Sequence, residues 1–418
     1  MSDSDFSDSF ASDVDLFGFG DDEDYESSAA YSIGGLCPIK LGDVLGTPPR
    51  YRVISKLGFG SFSTVWLARD RVLSRTVALK VVKAEQTGQS RELGILQRLV
   101  VPASAPSKNP CAIQLLDSFE TTSANGVHQV FVTELTVHLL DQPWICSRFR
   151  PRVTKDVLRQ TVEALAFIHS RGIAHGDLHP ANFGLAVPDF DQFSDAAIWE
   201  MTDVPETWPL VPTCDVDLNS FPPYICDAMD LGAFLLQYLP KAAAPPYSVR
   251  ILDFGSAYLV DGSPSPQYKT PAYYSAPEIA FSRASLGKEA YAPWDQRSDI
   301  WSLAVTFHNL VGAQGIYDES LMGVTANDIP YFMASLCGEM PDAWRDYIAS
   351  HEPPSDRTHE DADEIWKEKE EQFAAMGVDD PPGLVKLMRR MLVLDPAKRP
   401  TAAELLDDPY FVGKGDKD

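Results

Sequence analysis

The strongest fold signal in the chain is a run of alternating apolar and polar residues between positions 51 and 84. It reads YRVISKLGFGSFSTVWLARD and, after a short gap, RTVALKVVKA. Because side chains of a β-strand point alternately to opposite faces, this pattern predicts strands joined by a glycine-containing turn. CAIQLLDSF and VHQVFVTEL, on either side of the turn sequence TSANG, predict two more strands. We therefore expect an antiparallel sheet in the first part of the domain.

Helical patterns dominate the sequence after residue 140. One earlier helix is predicted in SRELGILQRLV, whose leucines share a face. TKDVLRQTVEALAFIHSRG predicts a helix from an N-capping Thr154 to Gly172. SDIWSLAVTFHNLVG and PGLVKLMRRMLV predict two more, and the acidic stretch HEPPSDRTHEDADEIWKEKEEQF predicts an exposed helix. The expected fold class is α+β, with a small antiparallel β lobe holding one helix and a larger, mainly helical lobe.

Composition limits the ligands that such a chain can take. Its 418 residues carry a formal net charge of −25, which would repel nucleic acid and anionic membranes over a Debye length of roughly 8 Å. Basic polypeptides are better partners, although acidity would equally serve solubility alone. No apolar run is long enough to predict a membrane span. Six scattered cysteines, without a CxxC pair or a signal segment, indicate a reducing compartment, cytoplasmic or nuclear.

Three regions follow from these patterns. Residues 1–48 are expected to form a disordered arm, because residues 1–39 hold ten acidic side chains and no Lys or Arg. The folded domain is expected over 49–413, with lobes at 49–137 and 138–413. A Pro- and Asp-rich insertion at about 187–249 interrupts the second lobe, and so long an irregular stretch is usually functional or loosely ordered.

Phosphate-binding chemistry is predicted in the strand region. Glycines in LGFGSFSTVW would let backbone amides approach phosphate oxygens. The ammonium of Lys80 could reach the same oxygens if the carboxylate of Glu92, in the following helix, held it. Val65 and Ala78 would line the adenine. The nucleotide-contacting positions expected here are Leu57, Gly58, Gly60, Ser63, Val65, Ala78 and Lys80.

Proton-handling and metal-binding chemistry is predicted further along. In HGDLHPAN, Asp177 would orient the acceptor hydroxyl or accept its proton, and Asn182 would hold a metal ion. In RILDFGSA, Asp253 ends a strand and would bind the Mg²⁺ that bridges the phosphates of ATP. Each motif alone has an ordinary structural explanation. Their order within one chain is hard to obtain by chance.

From Tyr51 to about Phe411 the chain resembles the eukaryotic protein kinases, since SAPEI, RSDIWSLA and LDPAKRPTAAELL continue the order of motifs. The resemblance implies a bilobal protein-kinase fold that uses ATP and Mg²⁺. It implies that Glu278 and Arg399 form a buried ion pair. It also implies that Asp299 hydrogen-bonds the catalytic-loop backbone.

Within the kinases, GFGSFSTVWLARD is similar to the SR-protein kinases, and so is DSFETTSANGVHQVFVTEL, which places Glu134 and Leu135 near the adenine edge. That family also carries a spacer between its catalytic loop and DFG, where this chain has its insertion. The resemblance implies a serine/threonine protein kinase acting on basic, Arg/Ser-rich proteins of the splicing type. A monomer is the expected state.

Two letters of the catalytic loop depart from the usual kinase pattern. Gly176 removes the Arg that in many kinases pairs with a phosphorylated activation segment, so we expect activity without phosphorylation there. His179 replaces a Lys that neutralises the γ-phosphoryl group. Because a neutral imidazole donates one hydrogen bond and is charged only near its pKa of about 6.5, we expect weaker catalysis.

Two other functions stay open. HGDLHPAN also resembles the loop of choline and aminoglycoside phosphotransferases, which phosphorylate small molecules. Those enzymes lack APE and the buried Arg partner, whereas Glu278 and Arg399 are present here. A pseudokinase acting as an acidic docking module is the second alternative. The intact metal-binding and proton-handling residues disfavour it.

Overall fold

The computed structural model describes most of the chain from residue 25 onward. The described ranges are 25–89, 91–101, 111–139, 151–187, 190–202, 204–212, 216–232, 234, 248–287, 291–313, 315–317, 325–350 and 361–412. Two compact units separate within them, defined by their internal contacts. The sheet unit contains the described residues up to 89, from 115 to 135 and from 187 to 234. The helical unit contains those from 91 to 114, from 136 to 186 and from 248 onward.

The sheet unit is built on six antiparallel strands in the order β1-β2-β3-β4-β6-β5. Their bounds are β1 Val44–Leu45, β2 Tyr51–Gly60, β3 Ser63–Asp70, β4 Arg75–Val82, β5 Leu115–Ser123 and β6 Gly126–Thr133. β2, β3 and β4 are the strands predicted from the alternation between positions 51 and 84. The predicted antiparallel sheet is confirmed.

One face of this sheet carries the core of the sheet unit. Trp66 of β3, Leu79 of β4 and Val132 of β6 are cross-strand neighbours and are buried together. Cys37 and Ile39, from the segment before β1, and Cys226, from the insertion, complete the same cluster. Segments remote in sequence therefore cover this face.

The predicted disordered arm ends before residue 48. Residues 1–24 lie outside the described residues, but from residue 25 the chain is folded: a 3₁₀ turn at Ser28–Ala30 precedes the fully buried Tyr31. The Tyr31 hydroxyl donates to Glu26 (2.7 Å), and Glu26 accepts from the buried ammonium of Lys56 (2.8 Å). The arm prediction is wrong for 25–48. Nine of the ten acidic residues in 1–39 lie before residue 25, whereas Tyr31 and Glu26 have specific buried partners.

The insertion packs with the sheet unit in its described part. It contains helix α3, Asp195–Thr202, and the antiparallel strands β10 and β11, Thr207–Pro209 and Tyr224–Cys226. Asp195 pairs with Arg52 and Arg69 of the sheet. Short 3₁₀ turns lie at Phe190–Gln192 and Leu218–Ser220. The insertion thus groups with the strands and not with the second lobe, in which the sequence placed it.

The helical unit contains ten helices with defined bounds in its described part. They are α1 Glu92–Leu99, α2 Pro151–Ser170, α4 Pro277–Leu286, α5 Gln296–Leu310, α6 Ile329–Cys337, α7 Asp342–Ser350, α8 Ala362–Ala375, α9 Pro381–Met391, α10 Ala402–Leu406 and α11 Pro409–Val412. Five short strands join them in two small sheets, β12-β9-β7 and β13-β8. Their bounds are β7 Thr136–His138, β8 Ile173–Ala174, β9 Phe183–Ala186, β12 Val249–Ile251 and β13 Tyr258–Leu259. The expected α+β class holds for the two units together.

Three helix predictions need correction in detail. α1 groups with the helical unit rather than with the first lobe. α2 begins at Pro151 and not at Thr154, because proline suits the first turn of a helix, where its missing N–H costs nothing. α8, predicted as exposed, buries Trp366 and Phe373 on one face. None of the described helices is apolar over a length that could cross a bilayer.

A buried histidine in α5 predicts acid sensitivity of the fold. Neither ring nitrogen of His308 has a hydrogen-bond partner among the described residues, and its ring packs edgewise on Phe373. Burial, aided by the nearby Lys369 ammonium, lowers the pKa of His308 to about 3. Below a pH of about 6.5 the unfolded chain protonates this imidazole and the folded chain does not, so stability should fall by about 1.4 kcal/mol per pH unit.

Substitution of His308→Phe should remove this loss of folding stability at low pH. Urea unfolding of wild type and variant at about pH 7.5 and about pH 5 should show the variant gaining about 2 kcal/mol relative to wild type at the lower pH. An equal loss of stability in both proteins would contradict the assignment.

Candidate active site

The predicted phosphate- and adenine-binding positions of the sheet unit share one face of the sheet. Gly58 of β2 pairs with Val65 of β3, and Val65 pairs with Lys80 of β4. Ala78 lies two residues before Lys80 and therefore points to the same side. This is the face opposite the core around Trp66. The strands thus bring an ammonium, two small apolar side chains and a glycine together.

The glycine-containing turn joins β2 to β3. Gly60 pairs with Ser63 at its base, and Leu57 precedes Gly58 on the same strand. A Cβ built on Gly58 or Gly60 would have no heavy atom within 4 Å. The space beside this backbone is therefore open, which suits the close approach of a phosphate.

The predicted adenine-edge residues follow β6 directly. Leu135 is buried, and its carbonyl accepts a hydrogen bond from Val187 N (3.0 Å), where the insertion starts. Glu134 is half-buried beside it. Both lie in the sheet unit with the other nucleotide-binding candidates.

A buried aspartate holds the backbone of the catalytic loop in the helical unit. Asp299 of α5 is fully buried and accepts from the backbone N–H groups of His175 (2.8 Å) and Gly176 (2.9 Å). His169 Nε2 lies 2.9 Å from the same carboxylate. The resemblance implied this role for Asp299. The loop is therefore fixed directly before the candidate catalytic carboxylate.

Asp177 has a carboxylate oxygen available for an acceptor hydroxyl. Its Oδ1 is buried and has no hydrogen-bond partner among the described residues. Burial raises the pKa of Asp177 above its ordinary value, and the neighbouring His179 opposes that rise. A raised pKa makes the carboxylate a better proton acceptor. An unsatisfied carboxylate oxygen in a fixed loop is what orienting or deprotonating a hydroxyl requires.

His179 and Asn182 lie beside this carboxylate. Asn182 Nδ2 donates to the backbone oxygen of Asp177 (2.7 Å) and lies 3.0 Å from His179 Nε2. His179 Nε2 is 3.8 Å from Asp177 Oδ1. Burial lowers the pKa of His179 below its ordinary value, against the opposing effect of Asp177. At neutral pH the imidazole is therefore uncharged, and Nε2 accepts the amide hydrogen.

Asp253 and Glu92 are brought together at the DFG turn. A Cβ built on Gly255 would lie 3.2 Å from Asp253 Oδ1 and 3.8 Å from Glu92 Oε2. Asp253 is exposed, and its φ of +52° is in the left-handed region, a backbone strain that concentrates at functional residues. Gly255 N donates to its carboxylate (3.1 Å), which helps an Asp hold this conformation.

The catalytic loop and the DFG turn are joined through their backbones. Leu252 N donates to the carbonyl of Asn182 (2.9 Å), where β12 pairs with β9. The negative charge of Asp253 also contributes to the raised pKa of Asp177. The helical unit therefore collects five predicted site residues in one place: Glu92, Asp177, His179, Asn182 and Asp253.

The donors in this group suit a magnesium ion that is shared with a nucleotide. No cluster of three or more His, Cys, Asp or Glu side chains suited to a metal occurs in the described part of the chain. Magnesium is usually held by one or two carboxylates together with substrate phosphates and water. Asp253 and the amide of Asn182 are oxygen ligands of that kind. They fit the predicted cofactor.

The uncharged state of His179 makes a testable prediction. His179→Lys should raise the turnover number about tenfold, because a charged hydrogen bond to the γ-phosphoryl group exceeds a neutral one by about 1.4 kcal/mol. Steady-state kinetics at saturating ATP measures this.

His179→Gln is the matched control, since it keeps a neutral acceptor for Asn182. Its turnover number should stay within about threefold of wild type. Unchanged or lower turnover for His179→Lys would mean that the hydrogen bond between His179 and Asn182 matters more than charge.

Several residues that support this site were not singled out from the sequence. Trp294 packs over Gly176, and the Thr270 hydroxyl donates to the carbonyl of Gly176. Arg283 of α4 binds carbonyls of the activation segment, residues 256–275. No short-range pattern marks them. Gly176 itself is a signal in the sequence, because a glycine where many kinases carry an Arg leaves space that another side chain can fill.

Comparison with known proteins gives a family match. Residues 51–189 and 239–411 match the family model described as "Protein kinase domain". The interval between the two matched parts falls within the predicted insertion.

Individual relatives match over different lengths. The chain is 39% identical over 169 residues to the serine/threonine-protein kinase spk-1 of Caenorhabditis elegans. The aligned stretch covers 39% of this chain and 17% of that protein. It is 39% identical over 177 residues to SRSF protein kinase 3 of Homo sapiens, covering 40% and 31%. The chain therefore spans less than a third of the length of these two relatives. A serine/threonine protein kinase of Aspergillus fumigatus is 26% identical over 408 residues, 93% of this chain and 91% of that protein.

Proposed function

The chain belongs to the protein kinase domain family, and we propose that it transfers the γ-phosphoryl group of ATP to serine and threonine hydroxyls of proteins. The observation that carries the proposal is the carboxylate of Asp177 in a loop fixed by Asp299, since its Oδ1 accepts no hydrogen bond from the described residues. The chain segments that carry Asn182 and Asp253 are joined by the hydrogen bond from Leu252 N to the carbonyl of Asn182.

Catalysis by these residues would consist of positioning and charge neutralisation. Lys80 would contact the α- and β-phosphates of ATP. Asn182 and Asp253 would hold Mg²⁺, which neutralises the charge of the phosphates when bound. Asp177 would orient the acceptor hydroxyl and take its proton as the new P–O bond forms and the bond to ADP breaks. His179 would donate its single imidazole hydrogen to the transferred group.

Proteins rich in Arg and Ser are the proposed substrate class. One relative is named for SRSF proteins, and the net charge of −25 would attract chains rich in guanidinium groups. Electrostatic attraction between oppositely charged partners raises association rates and weakens as salt is added.

Four described cysteines are free thiols, which supports a further proposal of an intracellular location, cytoplasmic or nuclear.

A salt titration with matched peptides tests the substrate class. An Arg-Ser repeat peptide, a Lys-Ser repeat and a neutral Gln-Ser repeat are each phosphorylated with radiolabelled ATP at low and high salt. We expect kcat/KM to be at least about tenfold higher for the Arg-Ser peptide at low salt, with most of that advantage lost at high salt. Equal rates on the neutral peptide would remove the substrate proposal while leaving the kinase proposal intact.

A further inference from the structure

The space beside Gly176 is filled by an indole ring. A Cβ at Gly176 would lie 2.2 Å from Trp294 Cη2, so no larger residue fits unless the ring moves. The φ of Gly176 is +73°, in the left-handed region that glycine favours. Position 176 is where many kinases carry the Arg that binds a phosphorylated activation segment. Here that volume belongs to Trp294, which is 5% exposed.

Trp294 is also bonded to the activation segment. Its Nε1 donates to the carbonyl of Pro266 (2.7 Å), and its backbone N–H donates to Ser265 Oγ (3.2 Å). Its ring meets those of Tyr258 and Tyr268 edge to face, with centroids 4.7 and 4.9 Å apart. Edge-to-face aromatic pairs stabilise beyond their buried area. Trp294 thus joins the catalytic loop to the first part and the middle of this segment.

A second set of hydrogen bonds holds the part of the activation segment that follows Pro266. Arg283 of α4 donates to the carbonyl of Thr270 (2.9 Å) and binds the carbonyl of Tyr268. The Thr270 hydroxyl in turn donates to the carbonyl of Gly176. The guanidinium of Arg283 is therefore directed at backbone oxygens. Those oxygens are present whether or not the segment is phosphorylated.

We infer that Trp294 is a positioning residue that holds the activation segment, residues 256–275, against the catalytic loop without a phosphate. The indole takes the volume and the bridging role that an Arg–phosphate pair has elsewhere. The inference rests on the proposed kinase function for its consequence in catalysis. Its structural part, the fixed segment, can be measured without any catalysis.

Amide hydrogen exchange measures directly how firmly residues 256–275 are held. In Trp294→Ala, amides of residues 256–275 should exchange at least about tenfold faster than in wild type. Trypsin should cut after the exposed Lys269 in this variant and should leave the same bond intact in wild type. Exchange within about twofold of wild type would overturn the inference. Both readouts are independent of kinase activity, so they distinguish failure of this inference from failure of the proposed function.

Trp366→Ala is the matched control for general loosening. Trp366 is also buried, and its Nε1 donates to a backbone carbonyl, that of Leu336 (2.8 Å). Its truncation should lower stability without accelerating exchange in 256–275 selectively. Equal acceleration in both variants would show global opening and would contradict a specific role for Trp294.

A double-mutant cycle isolates the contact between Trp294 and Gly176. Gly176→Ala places a methyl against the indole, and in the Trp294→Ala background that clash is gone. The cost of the left-handed backbone is common to both backgrounds and cancels. We expect Gly176→Ala to accelerate exchange in 256–275 at least about fivefold more when Trp294 is present. Equal factors would mean that the two residues do not act together.

Phosphatase treatment tests the absence of a phosphate requirement. Wild type that has been treated until no phosphate remains in 256–275 by mass spectrometry should keep its turnover number within about twofold. In the same assay Trp294→Ala should lose turnover about tenfold or more with KM for ATP unchanged, because the acceptor site is misplaced while the nucleotide site is not. Loss of most wild-type activity after phosphatase would reject the inference.

Discussion

Asp177→Asn should lower the turnover number about 1,000-fold and leave the affinity for ATP within about twofold. The amide retains the shape of the carboxylate but cannot accept the proton of the acceptor hydroxyl. Oδ1 of Asp177 is unpartnered among the described residues, so the substitution breaks no hydrogen bond made by that atom. The loss should therefore appear in kcat alone. Peptide phosphorylation with radiolabelled ATP, together with ATP titration by calorimetry, measures both quantities.

Asp156→Asn is the matched control for this substitution. Asp156 is exposed on α2 and accepts a hydrogen bond from Gln160 Nε2 (2.9 Å), far in sequence from the loop. Its turnover number should match wild type. If Asp177→Asn kept a tenth or more of the wild-type rate, the carboxylate would not be the proton acceptor.

Arg399→Met should destabilise the fold by about 3–5 kcal/mol. The guanidinium is fully buried and donates to Glu278 Oε2 (2.7 Å) and to the carbonyls of Val393 (2.8 Å) and Arg297 (2.9 Å). Its removal leaves the Glu278 carboxylate, which is only 19% exposed, and the carbonyls of Val393, Arg297 and Leu394 without this donor. Breaking a buried pair costs far more than the pair contributes, because the remaining charge stays desolvated. Urea denaturation measures the change.

Arg389→Met is the comparison for an exposed pair. Arg389 lies 2.7 Å from Asp363, with side-chain exposures of 44% and 74%. Its loss should be less than about 1 kcal/mol, since exposed ion pairs are solvated and screened. Similar losses for the two variants would show that the pair of Arg399 and Glu278 does not anchor the helical unit.

The sequence predicted those features that local periodicity or motif order encodes. The strands from Tyr51 to Val82 and the helix over Gln296–Leu310 follow from repeats of about 2 and 3.6 residues. The predicted kinase family is confirmed by the match over 51–189 and 239–411. Spacing also led to Asp177, Asn182 and Asp253, which the structure brings together in the helical unit.

Features that depend on remote partners were not predictable in this way. The segment 25–48 follows a strongly acidic stretch, yet it is held by Glu26 against Lys56, thirty residues away. The insertion has weak periodicity, and its place in the sheet unit depends on contacts such as Lys56 with the carbonyl of Cys226 (2.7 Å). Trp294 lies 118 positions after Gly176, whose missing side chain it replaces. Periodicity and motif order do not predict contacts between residues that lie far apart in the sequence.

The central claim is that this protein phosphorylates protein hydroxyls, and a single competition reaction tests it. Wild type is incubated with Mg²⁺, radiolabelled ATP, an Arg-Ser repeat peptide, choline and an aminoglycoside, and the acceptor of the label is identified by mass spectrometry. Our account predicts label on peptide serine, dependent on Mg²⁺ and lost in Asp177→Asn. Label on either small alcohol, or no transfer to any acceptor, would contradict it.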